Sequence, residues 1–256
     1  MMEYLILFPA GIVIASVASL MGIAGGIVWV PFLILVMNMD AHQAILLSFG
    51  VQVVGMGSAV SNYIRHKKVY WNLAFSMAPF IFIGILIGSY LSQRIAGSRA
   101  TEIAMGAVTM IIAVFFASQT EAYDERLNED SKIKAPGWIR SSGVIMGSIS
   151  GFLSIGIGDF FIPMIRSKLK IPMLNAVATS LILNFAVAVT AGLTHTILHG
   201  GISKDLWIPF FFAAPGVFIG GQLGYFLSKR VNENRLKEMF IFLLILIGLH
   251  MIYQAL

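Results

Sequence analysis

"SIGIGDFFIP" (154–163) interrupts an apolar run with glycines, a bare carboxylate at Asp159 and a proline at Pro163. Glycine weakens a helix by about 1 kcal/mol and an internal proline by about 3. The stretch therefore predicts two half-helices meeting at a break, closed by the proline. An earlier stretch, "GIAGGIVWVP" (22–31), has the same layout and lies 132 residues before it. The same spacing pairs Ala44 with Ala176, Ser48 with Ser180, Gln52 with Asn184 and Ser58 with Thr190. A spacing of 136 then pairs Pro79 with Pro215, Gly84 with Gly220, Gly88 with Gly224 and Arg94 with Arg230. The chain reads as a duplication, with a first repeat at 1–119, a charged linker loop "TEAYDERLNEDSKIKAPG" at 120–137, and a second repeat at 138–256.

The solvent of this duplication is set by its composition. Of 256 residues, 58% are hydrophobic and only 11% charged, less than half the share of about 25% that keeps a soluble domain dispersed. Apolar segments fall at 4–37, 41–64, 71–93, 100–119, 138–165, 172–198, 206–228 and 237–255. Several reach the roughly 20 residues that a helix needs to cross a bilayer. The first is expected to belong to the mature chain, because no small-residue cleavage site follows it. With no cysteine there is no disulfide or thiolate metal site. The net charge of +5 sits in short clusters between apolar runs, where a membrane protein keeps it, and does not point to nucleic acid.

Those clusters decide the topology. If each broken segment crossed once, the basic residues would divide almost evenly between the two faces. If each goes in and returns, the fourteen basic residues at 65–68, 126–140, 166–170 and 229–237 share one face, and only Arg94, Arg99 and Lys204 lie opposite. The second arrangement obeys the positive-inside rule. It predicts an all-α integral membrane protein of two inverted repeats, each a broken or re-entrant helical hairpin plus three transmembrane helices. Both termini lie outside and the linker lies in the cytoplasm. Inverted repeats with broken helices are the architecture of secondary transporters, whose substrate sits near the midplane.

A half-helix that begins inside the membrane aims free N–H groups and about half a positive charge at the cavity. Two such ends are expected at Gly25-Gly26 and at Gly156-Gly158. Ser48 and Gln52 share a helical face, and Ser180 and Asn184 repeat it, so these residues are the candidate binding groups for a small anion. The plain alternative is helix–helix adhesion, at about 0.6 kcal/mol per hydrogen bond. Asp159 is either an N-cap of the second half-helix or a protonatable switch that couples transport to protons. His195 and His199 are spaced like a metal pair, but no third ligand is evident, so interfacial histidines near Trp207 are the reading. "GIGD" (156–159) also matches the motif of intramembrane aspartyl proteases, yet its only candidate partner, Asp124, lies in the polar loop. Neither a catalytic residue, a metal nor a cofactor is assigned. The pairs Gly84/Gly88 and Gly220/Gly224 could join helices within one chain or between two copies as a homodimer.

The motifs "GIAGGIVWVP" with "AILLSFGVQ" (44–52), and "GSISGFLSIGIGDFFIP" (147–163) with "AVATSLILN" (176–184), resemble the TauE/SafE family of sulfite-exporter-like permeases. The likeness spans nearly the whole chain apart from the central loop. It implies a multi-pass transporter of the bacterial inner membrane that moves small sulfur-containing anions, sulfite or organosulfonate in class, without ATP. The family's pattern usually carries glycine where this chain has Asp159, which leaves another small anion, or a cation, as the alternative substrate.

Overall fold

The structure is a computed structural model that describes residues 2–94, 98–118, 134–156, 158–198, 200–227 and 233–255. Most of the linker loop, with Asp124, lies outside these residues, as do His199 and the side chain of Asp159. The described residues form helices and turns, with no strand among them. In chain order the helices are α1 (Leu7–Met21), α2 (Gly26–Leu35), α3 (Ala41–Arg65), α4 (Trp71–Arg94), α5 (Ser98–Ser118), α6 (Gly137–Leu153), α7 (Gly158–Leu169), α8 (Met173–Leu198), α9 (Trp207–Leu227) and α10 (Glu233–Ala255). Five stretches are long and apolar enough to cross a membrane: Glu3–Met21, Ala41–Arg65, Trp71–Arg94, Leu174–Leu198 and Lys204–Leu227.

The two predicted breaks are present, but the prolines do not make them. α1 stops because Gly22 turns left-handed (φ 75°) and donates its N–H to the Ala18 carbonyl. α6 stops at Ser154 in the same conformation (φ 60°), with its N–H on the Ser150 carbonyl. Such a C-cap ends a helix by satisfying its last carbonyls. Pro31 then sits inside α2 and Pro163 inside α7, in helices that have already begun afresh. With 10 and 12 residues, α2 and α7 rise only about 15 and 18 Å, well short of a bilayer.

Small residues set the packing between the halves. A Cβ on Gly216 would strike the Phe8 carbonyl; one on Gly220 would sit 2.5 Å from the Ile12 carbonyl, and one on Gly224 2.5 Å from the Ser16 carbonyl. α1 and α9 are therefore parallel and in backbone contact. α4 and α6 repeat this, with Gly84 against Val144 and Ser148, and Gly88 against Ser148 and Phe152. Of the two roles offered above for these glycine pairs, contact within the chain is the one seen here. α3 runs parallel to α9, as Gly50 meets Phe210 and Gly55 meets Val217. It runs antiparallel to α8, as Phe49 meets Gly192 and Phe185 meets Gly57. Large apolar side chains such as Phe75, Phe211 and Phe242 point outward while Ser48, Ser180 and Asn184 are buried. That is the pattern of a protein whose solvent is lipid.

Candidate functional site

The breaks are held by side chains from the opposite half. In α3, the Gln52 amide Nε2 shares its two hydrogens among Ser48 Oγ (2.9 Å), the Ser48 carbonyl (3.1 Å) and, across the break, Ser154 Oγ (2.9 Å). Ser154 Oγ in turn reaches Ser48 Oγ at 3.3 Å. In α8, Ser180 Oγ donates to the Gly22 carbonyl (2.9 Å), and Asn184 Nδ2 reaches the same carbonyl and Ser180 Oγ (3.4 and 3.3 Å). Asn184 Oδ1 accepts the Gly158 N–H at 3.4 Å. Each long helix therefore grips the break that belongs to the other half. Ser48, Gln52, Ser154, Ser180 and Asn184 are all at least nine-tenths buried, so these groups meet away from bulk solvent.

The glycines make this approach possible. A Cβ on Gly26 would run into the Ser154 carbonyl and lie 2.8 Å from Gln52 Nε2. A Cβ on Gly158 would lie 2.5 Å from the Gly22 carbonyl and 2.7 Å from Asn184 Nδ2. Gly156 packs on Ala24, 132 residues away, so the two breaks touch at equivalent positions. Gly25 caps α2 and takes the Trp29 N–H on its carbonyl at 2.8 Å. All eight expected binding positions thus lie at the two breaks or face them. Ser154, Gly22 and Ala24 join them unforeseen, although the 132-residue spacing pairs the first two. Asp159 is the second residue of α7, inside its first turn and not at the N-cap. Beside Gln52, Gly25 and Ser19 lies a cavity of about 20 Å³, close to the minimum for one water.

Two further polar groupings flank the centre. His195, expected at the interface, is fully buried, its Nε2 donating to the Gly151 carbonyl at 2.7 Å. Between α3 and α9, Asn62 Nδ2 donates to Gln222 Oε1 (2.6 Å), Gln222 Nε2 to the Ser58 carbonyl (2.9 Å) and Ser58 Oγ to the Phe218 carbonyl (2.7 Å). The equivalent contact between α8 and α4 is built without this triad. Thr190 and Thr194 bond carbonyls of their own helix, and Leu86 stands where Gln222 would. Gln222→Leu is expected to remove two interhelical bonds of about 0.6 kcal/mol each. The apparent Tm should fall by about 2–4 °C, checked by thermal unfolding in detergent.

Three comparisons bear on the identity of this arrangement. The family model described as sulfite exporter TauE/SafE matches residues 7–251. A probable membrane transporter protein of Bacillus subtilis, YunE, is 25% identical over 99% of both chains. Another from Xylella fastidiosa is 24% identical over 96% of this chain and 94% of its own. A third, from Methanocaldococcus jannaschii, is 23% identical over 98% and 97%. No solved structure matches.

Proposed function

The chain belongs to the sulfite exporter TauE/SafE family, and on that premise we propose that it carries a small sulfur-containing anion, sulfite or organosulfonate in class, bound where its two breaks meet. Its kin are membrane transporters, so the aspartyl-protease reading of "GIGD" falls away.

The observation that carries the proposal is the crossed grip: α3 holds Ser154 while α8 holds Gly22. Exchanging the halves turns one contact into the other, which supports two repeats related by a pseudo-twofold. Helix directions support the inversion, since α3 and α8 are equivalent in sequence yet antiparallel. α1 and α3 both run parallel to α9, so α2 leads back from the level of Gln52 to the start of α3. α1 packs chiefly on α9, and α2 on α3. Basic turns gather at one end: Asn175, which follows Lys168 and Lys170, donates to the Lys68 carbonyl at 2.9 Å. That end is the cytoplasmic face of a bacterial inner membrane, and both termini lie outside.

An anion suits this centre because the first amides of α2 and α7 have no partner within their helices. Each helix also brings about half a positive charge. Amide and hydroxyl donors from α3 and α8 then share the oxyanion's remaining oxygens. No Lys or Arg is required, which favours release as well as capture. In a thermal-shift screen of the purified chain against sulfite, sulfate, thiosulfate, sulfoacetate, taurine and short carboxylates, a bound anion raises Tm. The rise at 100 times Kd corresponds to about 2.7 kcal/mol. No shift with any anion, or shifts with cations only, would overturn the proposal and make Asp159 the contact residue.

A further inference from the structure

The bond that His195 makes does not require an imidazole. Its counterpart 132 residues earlier is Tyr63, whose hydroxyl faces the Ser19 carbonyl at 3.3 Å; Ser19 is likewise the counterpart of Gly151. The last turn of α1 and of α6 is thus held by one donor from a long helix, and on one side a phenol suffices. On the other side stands a fully buried group that titrates near neutral pH when unperturbed. A carbonyl only accepts, so Nε2 carries a hydrogen and Nδ1 is the atom that gains or loses the proton.

The surroundings give that proton a route and a purpose. From α3, the His42 ring lies 6.1 Å away, centroid to centroid, and Phe49 5.5 Å away. Asp40, two residues before His42, caps α3 at that membrane face and accepts the His42 N–H at 3.0 Å. α6 faces the imidazole with the Gly151 carbonyl. At the end of α4, Gln93 donates to the Leu198 carbonyl one turn beyond His195, and neighbouring Arg94 is engaged with the Tyr90 hydroxyl. Inward, Gly151 precedes Ser154 by about 5 Å along the chain's helical rise, and Phe49 adjoins Ser48. The imidazole therefore stands about one helical turn from the Ser48–Gln52–Ser154 cluster.

We propose that His195 is the residue that couples anion binding to a proton, loaded by way of His42. The proposal rests on the anion site argued above. Protonated, the imidazolium places a positive charge beside the incoming anion; neutral, it withdraws that charge and favours release. A unit charge about 10 Å away at an effective dielectric constant near 20 changes affinity by about tenfold. Affinity is thus highest at low pH and falls as pH rises through the imidazole's titration.

The test uses the purified full chain with sulfate and thiosulfate, which do not titrate between pH 5 and 8 as sulfite does. Thermal stabilisation gives Kd at each pH, and a pH-indicator dye in weak buffer counts protons taken up on binding. Wild type should bind about tenfold more tightly at pH 5 than at pH 8 and take up as much as about half a proton per anion. His195→Gln keeps a donor near the Nε2 position and should bind with a flat pH profile. Zero uptake by wild type overturns the proposal whether or not the variant folds. So does a steep profile that survives in His195→Gln or is lost only in Asp159→Asn. In those outcomes the anion site itself stands. Failure of every anion to stabilise wild type removes the site and the proposal together.

Discussion

Gly26→Ala is expected to abolish transport and to destabilise the protein by about 3 kcal/mol or more, although it adds one methyl group. In an open helix the same change gains about 1 kcal/mol. At Gly26 the new Cβ would run into the Ser154 carbonyl, with Gln52 Nε2 only 2.8 Å away. Neither obstacle is the end of a flexible chain. One is backbone held in a left-handed turn, the other an amide held between Ser48 and Ser154. Overpacking against such neighbours commonly costs about 1–3 kcal/mol, and here the displaced bonds are buried and add to it. Gly158→Ala should behave alike, since it meets the Gly22 carbonyl and Asn184 in the same way. Gly50→Ala, whose Cβ would meet only the Phe210 ring at 3.4 Å, is the matched control and should retain activity. Flux into proteoliposomes and unfolding in detergent measure both effects. Full activity in Gly26→Ala would mean the breaks do not touch during transport.

How far these contacts could be read from the chain depends on which atoms make them. Ser48/Ser180 and Gln52/Asn184 were legible as facing the breaks because they are side chains with matched chemistry at one spacing. Their partners were not, because Gly22 contributes only a carbonyl and Ser154 owes its position to a left-handed turn. A break made by a C-cap also looks much like one made by proline when both occur within ten residues. The half-helix ends were expected at Gly25-Gly26 and Gly156-Gly158, whereas the C-caps that stop α1 and α6 lie a few residues earlier, at Gly22 and Ser154. Gly84/Gly88 and Gly220/Gly224 announced close helix contact but not its address, since a glycine stripe suits a sister helix as well as a second copy. The burial of His195 was not legible for another reason: its neighbours come from α3 and α6, distant in sequence.

Gln52→Leu carries the second large effect, a loss of about 10- to 100-fold in anion affinity with the fold retained. Leucine is similar in size to glutamine, so the packing around Val51 and Gly55 survives. The donor shared by Ser48 and Ser154 disappears, and with it an N–H that can turn to a bound oxyanion. A hydrogen bond to a charged group is worth about 1.5–3 kcal/mol, which corresponds to roughly that range in affinity. The informative comparison is with Asn184→Leu. The two half-sites differ in build: the longer Gln52 reaches a serine hydroxyl, while the shorter Asn184 reaches a bare carbonyl and the Gly158 N–H. Should the anion lie on the pseudo-twofold, beside Ala24 and Gly156, it draws on both donors, and the two variants should lose affinity by similar factors. Loss confined to Gln52→Leu would assign the anion to the first half alone, with α8 serving only to brace Gly22. Unchanged affinity in both would reduce these residues to adhesion between helices and leave the crossed grip without a substrate.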